Sequence, residues 1–318
     1  MRWRGFQLFA LVAAGLLLAA PIAMAADSNQ NDNNQPSQGR AVVTVLPGTE
    51  IPGGIPQDAL HLKIDGKQSS VTGWTALHSP ASKIQMVLLI DDGARESLGI
   101  QMGEISKFIQ GLRPDVEVTL AYMENGRAVM AGPLTTDHAA VVRELHLPIS
   151  GSPGISASPY FCLSDLAKHW PSNDDHARRE VVMVTDGVDY YEMRYDPEDP
   201  YVQAAINDSV RAHLIVYSIY WRNQGRFDRS GYAADDGQNL LAQLSQATGG
   251  NSYWEGYGNP VTFQPYFADI DRRIHNQYEL DFMTPAGGKP QMASLKLKVS
   301  APAKIDAPQQ VYVHPGAE

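Results

Sequence analysis

Apolar residues run almost without a break from Ile84 to Ile90, interrupted only by Gln85, and stop at Asp91-Asp92-Gly93. A run of that length closed by a turn signal predicts a strand buried on both faces. Beyond it Leu98, Ile100, Met102, Ile105, Phe108, Ile109 and Leu112 recur at helical spacing, predicting a helix over about 95–112. The alternation then repeats. Strands are expected over 116–122, 180–186, 214–220 and briefly 251–254, with Asn125-Gly126 turning the first of them into a short edge strand, 127–131. Helices are expected over 137–145, 160–170, 199–212, around Leu240 to Ala247, and over 261–276. This rhythm predicts an α/β fold built on an open, mostly parallel, Rossmann-like sheet between helices. Ligands of such sheets collect beyond the carboxyl ends of the strands, which places Asp91 at the lip of a site.

The two ends of the chain follow a different rhythm. Residues 41–46, 60–64 and 70–76 read as short strands separated by Gly- and Pro-rich turns, and 278–283, 294–299 and 310–313 read the same way. Neither set carries enough apolar surface to stand alone, so the two are expected to pair as small β extensions.

Composition sets the compartment. Arg2 and Arg4 precede an apolar stretch from Phe6 to Ala20, and Ala23-Met24-Ala25 supplies a small-x-small cleavage pattern, so residues 1–25 read as a secretory signal peptide. Residues 26–40 hold almost nothing to bury and read as a disordered linker. The expected organisation then continues with a β extension at 41–82, the α/β domain at 83–276 and a second β extension at 277–318. Cleavage removes two of 25 basic residues and none of 35 acidic ones, leaving a net charge of −12. That balance argues against nucleic acid and anionic membrane surfaces as partners, and no membrane insertion is expected after cleavage. Cys162, the one cysteine, lies in an apolar helical context and reads as a buried inert thiol.

The order of these elements and certain residues resemble the von Willebrand factor A-type (VWA) domain, in its exported bacterial, Acidobacteria-like branch. The resemblance covers about residues 83–276 and rests on Leu88-Leu-Ile-Asp-Asp92, Val182-Met-Val-Thr-Asp-Gly187, Ile215-Val-Tyr-Ser-Ile219, Leu244-Ser-Gln-Ala-Thr-Gly-Gly250 and Gln277-Tyr-Glu-Leu280. It implies a metal-ion-dependent adhesion site in which an Asp-x-Ser-x-Ser loop, a threonine and a second aspartate surround Mg²⁺ or Ca²⁺. Asp91 matches the first carboxylate and Asp186 the last, while the serine positions fall on Gly93 and Arg95. Ser156 or Ser158 stands near the threonine position. The site is therefore degenerate. Either Asp91, Asp186 and one serine bind a divalent ion weakly, or the Arg95 guanidinium replaces the ion between the carboxylates, and the second reading is preferred. No other cofactor is expected.

Two loops should emerge on the same rim as Asp91. One, Gly187 to Tyr201, is acidic and carries Tyr190, Tyr191 and Tyr195; the other, Trp221 to Tyr232, carries Arg226 and Phe227 besides Trp221. Tyr, Trp and Arg anchor protein interfaces, so these residues with Asp92 form either a recognition rim for a protein partner or a lid packed on itself. No Gly-x-Ser-x-Gly elbow, phosphate loop or helical His pair occurs in the chain. The expected function is thus an exported, periplasmic or secreted, non-enzymatic binding module. A hydrolase using paired carboxylates, or a structural envelope protein with a decayed site, is the alternative.

Overall fold

A computed structural model describes residues 36–46, 54–78, 82–94, 96–147, 158–189, 191, 196–222, 232–256, 258–285 and 289–315. The expected signal peptide and residues 26–35 of the expected linker lie outside the described residues. The linker was placed too far along the chain, because Ser37–Val45 is already the first strand, β1. Its order comes from pairing: Ser37 to Thr44 lie opposite Thr284 to Gln277, a contact that local composition cannot show.

The elements that follow are β2 (Leu60–Ile64), β3 (Lys67–Ala76), β4 (Ile84–Asp91), α1 (Met102–Gly111), β5 (Val116–Glu124), β6 (Arg127–Met130), α2 (His138–Arg143) and α3 (Pro159–Lys168). Then come β7 (Arg178–Thr185), α4 (Pro200–Arg211), β8 (Leu214–Tyr220), α5 (Tyr232–Thr248), β9 (Ser252–Tyr253) and α6 (Gln264–His275). The chain finishes with β10 (Gln277–Thr284), β11 (Gln291–Val299), β12 (Ile305–Asp306) and β13 (Gln310–Pro315).

The expected fold class needs correction. The terminal segments are not small extensions of one open, mostly parallel sheet. They form a closed six-stranded antiparallel barrel, β10-β3-β2-β11-β13-β1, shut by the pairing of β1 with β10, and β12 adds to β1. The second sheet is mixed, in the order β6-β5-β4-β7-β8-β9, with β6 antiparallel to β5. Closure has a physical reason. Strand β2 alternates buried and exposed residues along Leu60-His-Leu-Lys-Ile64, and its buried side chains meet Val43, Phe282, Leu295 and Val313 inside the barrel. An open sheet of these strands would leave that face half covered and both edges unpaired; a barrel removes both problems. Gly39 makes the seam feasible: it sits opposite Phe282, and a Cβ there would lie 2.5 Å from the ring.

In the mixed sheet β4 runs parallel to both β5 and β7. Met86, Leu88 and Ile90 point into one apolar cluster with α1 and α6, whereas Val87 and Leu89 point into a second with α3, α4 and α5. Both faces of β4 are thus dry, as its sequence requires. At the far end of β5, Asn125 and Gly126 take φ of 48° and 76°, the left-handed pair that a tight hairpin needs. Helix α5 begins at Tyr232, earlier than the helix expected around Leu240 to Ala247; its first turns carry Asp235, Asp236 and Gly237 in place of an apolar stripe, which hides the start.

Candidate functional site

The carboxyl ends of β4 and β7 meet through a threonine. Parallel pairing sets Ile90 opposite Val184, so the next residues outward are Asp91 and Thr185. The Thr185 hydroxyl donates to Asp91 Oδ2 at 2.5 Å, and Asp91 Oδ1 accepts from the Gly93 N–H at 2.8 Å. Thr185 Oγ1 in turn accepts from the Gly187 N–H at 3.2 Å. Each oxygen of Asp91 therefore serves a protein donor.

Asp186 does not share that contact. It is buried, and its Oδ1 accepts from the Val188 N–H at 3.1 Å, an Asx turn that reverses the chain after β7. The same device recurs at Asp189, whose Oδ1 accepts from the Tyr191 N–H at 2.8 Å. Beneath this turn the buried Tyr160 hydroxyl donates to the Gly187 carbonyl at 2.8 Å. Burial pushes the Tyr160 phenol well above its ordinary pKa, and Asp189, Asp186 and Asp199 push the same way, so it remains a donor. Helix α5 closes the turn from behind: a Cβ on Gly237 would lie 2.0 Å from the Asp186 carbonyl oxygen.

The remaining expected site residues are dispersed. Ser158 is buried just before α3, its hydroxyl caps nothing, and no hydrogen bond joins it to Asp91 or Asp186. Arg95, Ser156, Tyr190, Tyr195, Arg226, Phe227 and the side chain of Asp92 lie outside the described residues. Tyr191 is half exposed and packs edge to face against Phe161 at 5.4 Å and Tyr201 at 5.0 Å. Trp221, placed on the rim by residue type, is instead a core residue, 1% exposed. Its indole N–H donates to Ser97 Oγ at 3.0 Å and its ring meets Phe263 at 5.4 Å. Strand β8 is buried at all seven positions, and Trp221 continues it inward.

Ca²⁺ takes six to eight oxygen ligands and Mg²⁺ six, several of them water. Gly93 contributes no side chain, Asp91 accepts from Gly93 and Thr185, and Asp186 Oδ1 accepts from the turn that follows it. Among the described residues no three His, Cys, Asp or Glu side chains gather as a metal site. Among the described residues this oxygen set does not by itself complete a divalent-cation site. It does not form a nucleophile–base pair either, because the Thr185 hydroxyl is fully buried and closed to a substrate.

The rim does expose apolar side chains that the sequence reading passed over. Ile100 is 73% exposed, Val261 85% and Leu147 38%. The segments that carry them touch: the Gln101 side chain donates to the Val261 carbonyl at 3.0 Å, and Leu147 lies against Gly99. Ile100 shares the helical spacing of the core residues Leu98 and Ile105, which hides its exposure.

No protein-family model matches the chain, and no curated protein matches it. Solved structures superpose on parts of it. An aerotolerance-related membrane protein from Bacteroides fragilis is 15% identical, with a TM-score of 0.43, over 60% of this chain and 98% of that one. BatB from Bacteroides thetaiotaomicron is 14% identical, with a TM-score of 0.40, over 60% and 97%. The SpRpn10 VWA domain is 15% identical, with a TM-score of 0.30, over 56% and 97%. Superpositions at these scores fix neither the fold nor a function.

Proposed function

We propose that the chain is an exported, non-enzymatic binding module of VWA type that engages a protein partner through the rim at the carboxyl ends of β4, β7 and β8. The observation that carries this reading is the exposure of Ile100, Val261 and Leu147 on segments that touch one another. Large apolar side chains grouped in contact with water mark interaction surfaces more often than single ones do. The carboxylates beside them hold turns, so the rim binds by shape and apolar burial and not through a bridging ion. Export rests on the charged and apolar pattern of residues 1–25. Among the described residues no helix is long and apolar enough to cross a membrane.

A photo-crosslinking side chain introduced at Ile100, and separately at Lys298 on the barrel, tests this in the producing cell. Discrete adducts from position 100 and none from position 298 are expected. Equal labelling from both would remove the rim. Turnover of ester, peptide or phosphoester substrates that Asp91→Ala abolishes would replace a binding module with a hydrolase.

A further inference from the structure

At the opposite end of the parallel strands, where β7 and β8 begin, a cleft of about 770 Å³ opens between the barrel and the mixed sheet. Its volume falls in the range that holds a small organic ligand. Its charge is unlike that of the whole chain. The protein carries a formal net charge of −10, yet four arginines and three histidines line this cleft against Asp175, Glu279 and Asp281.

Two of the four arginines are loosely held; Arg178 is bonded to Leu77 and Gln277, and Arg179 to Asp175 at 2.9 Å. Arg40 approaches Glu279 and Asp281 at 3.4 and 3.5 Å, and Arg211 approaches Asp208 at 3.7 Å. Closed charge-assisted bonds measure about 2.7–2.9 Å, so these guanidiniums keep donor capacity for another anion. Asp208 already has a nearer cation in Lys168, at 2.8 Å. The Arg211 guanidinium also lies over the Tyr312 ring at 5.6 Å, and that ring meets His314 edge-on at 4.7 Å. A flat apolar wall thus stands beside the charges, continued by Val210, Leu214 and Met283.

His213 reports the field inside. It follows the last turn of α4 with φ of +56°, a conformation glycine would adopt without strain, and its side chain lines the cleft. The ring is water-accessible but walled in by protein. That enclosure lowers its pKa, and Arg40, Arg179 and His314 lower it further, with Asp175 opposing. The net charge around this ring is positive.

We propose that this cleft binds a small organic oxyanion, its charged group between Arg40 and Arg211 and its apolar body against Tyr312. The site shares no residue with the rim proposed above, so either can fail without the other.

Calorimetric titration of the purified protein with naphthalene-1-sulfonate tests it, alongside Arg40→Gln and Arg211→Gln, with 1-naphthol as the uncharged probe. Both variants alter exposed side chains, and unchanged melting temperatures would show that they fold. Saturable one-to-one binding, weakened about fivefold or more by each substitution and absent with 1-naphthol, is the expected result. An absence of saturable heat, equal affinity in the wild type and both variants, or equal affinity for 1-naphthol would overturn it.

Discussion

Thr185 gives its hydroxyl proton to Asp91 across the β4–β7 pairing, at 2.5 Å, and takes the Gly187 N–H in return. One buried hydroxyl thereby ties two strand ends to the turn that leaves one of them. Thr185→Val keeps the shape and removes both bonds, leaving a carboxylate oxygen and an N–H without their partner. The expected cost is about 1–3 kcal/mol, read as a lower urea midpoint at unchanged slope, while Thr185→Ser should retain most of the stability.

The close approach of α5 to the same turn makes a sharper prediction. Gly237→Ala would put a methyl 2.0 Å from the Asp186 carbonyl oxygen, which is backbone and cannot swing aside. The helix must shift, and a loss of about 3 kcal/mol or more, or failure to fold, is expected. Gly103 is the control. It lies in α1, is exposed, and its added Cβ would meet nothing within 4 Å. Gly103→Ala should raise stability by about 0.5–1 kcal/mol in the same denaturation assay.

These two sites show what a sequence reveals and what it hides. Strands β4 and β8 are legible because burial on both faces leaves nearly continuous apolar runs, Ile84 to Ile90 broken only by Gln85 and Leu214–Tyr220 broken only by Ser218. Barrel closure is not legible, since nothing local to Ser37–Val45 says that it pairs with Gln277–Thr284 at the other end of the chain. Asp91 is recognisable as a strand-end carboxylate, but its partner depends on register, and the register selects Thr185 and leaves Asp186 to its own turn. The Thr-Asp-Gly order at 185–187 was the available signal: a hydroxyl one residue before a carboxylate, at the same height as Asp91. Trp221 misleads for the opposite reason, because an interface residue type continues a strand that is wholly buried.

The occupied oxygens of Asp91 also bear on metal dependence. A working adhesion site gains stability from its ion by mass action, so chelation would lower its melting temperature. Here titration with Mg²⁺ or Ca²⁺ should release no saturable heat, and excess chelator should leave the melting temperature unchanged. Heat that Asp91→Ala abolishes would restore the ion to the rim and show that the Gly93 and Thr185 bonds give way to it.

The barrel and the mixed sheet also share a buried carboxyl. Glu180 on β7 is fully buried, and burial pushes its pKa up to about 7 against the pull of Arg178 and Gln277. Arg178 itself is tied to the barrel side, donating to the Leu77 carbonyl at 3.1 Å and to Gln277. The folded state holds the Glu180 proton more tightly than the unfolded chain, whose carboxyl has the ordinary value near 4.5. Its contribution to stability is therefore complete below about pH 4.5 and is lost as pH rises through about 7, at a slope of up to ~1.4 kcal/mol per pH unit. Glu180→Gln stays neutral at every pH and should flatten that decline. Melting temperatures of the two proteins are expected to differ least at the acid end and to separate as pH rises from about 4.5 to about 7, with the variant gaining relative to wild type. A variant that melts lower than wild type above pH 7 would mean that Glu180 is ionised and held by Arg178 in the folded protein.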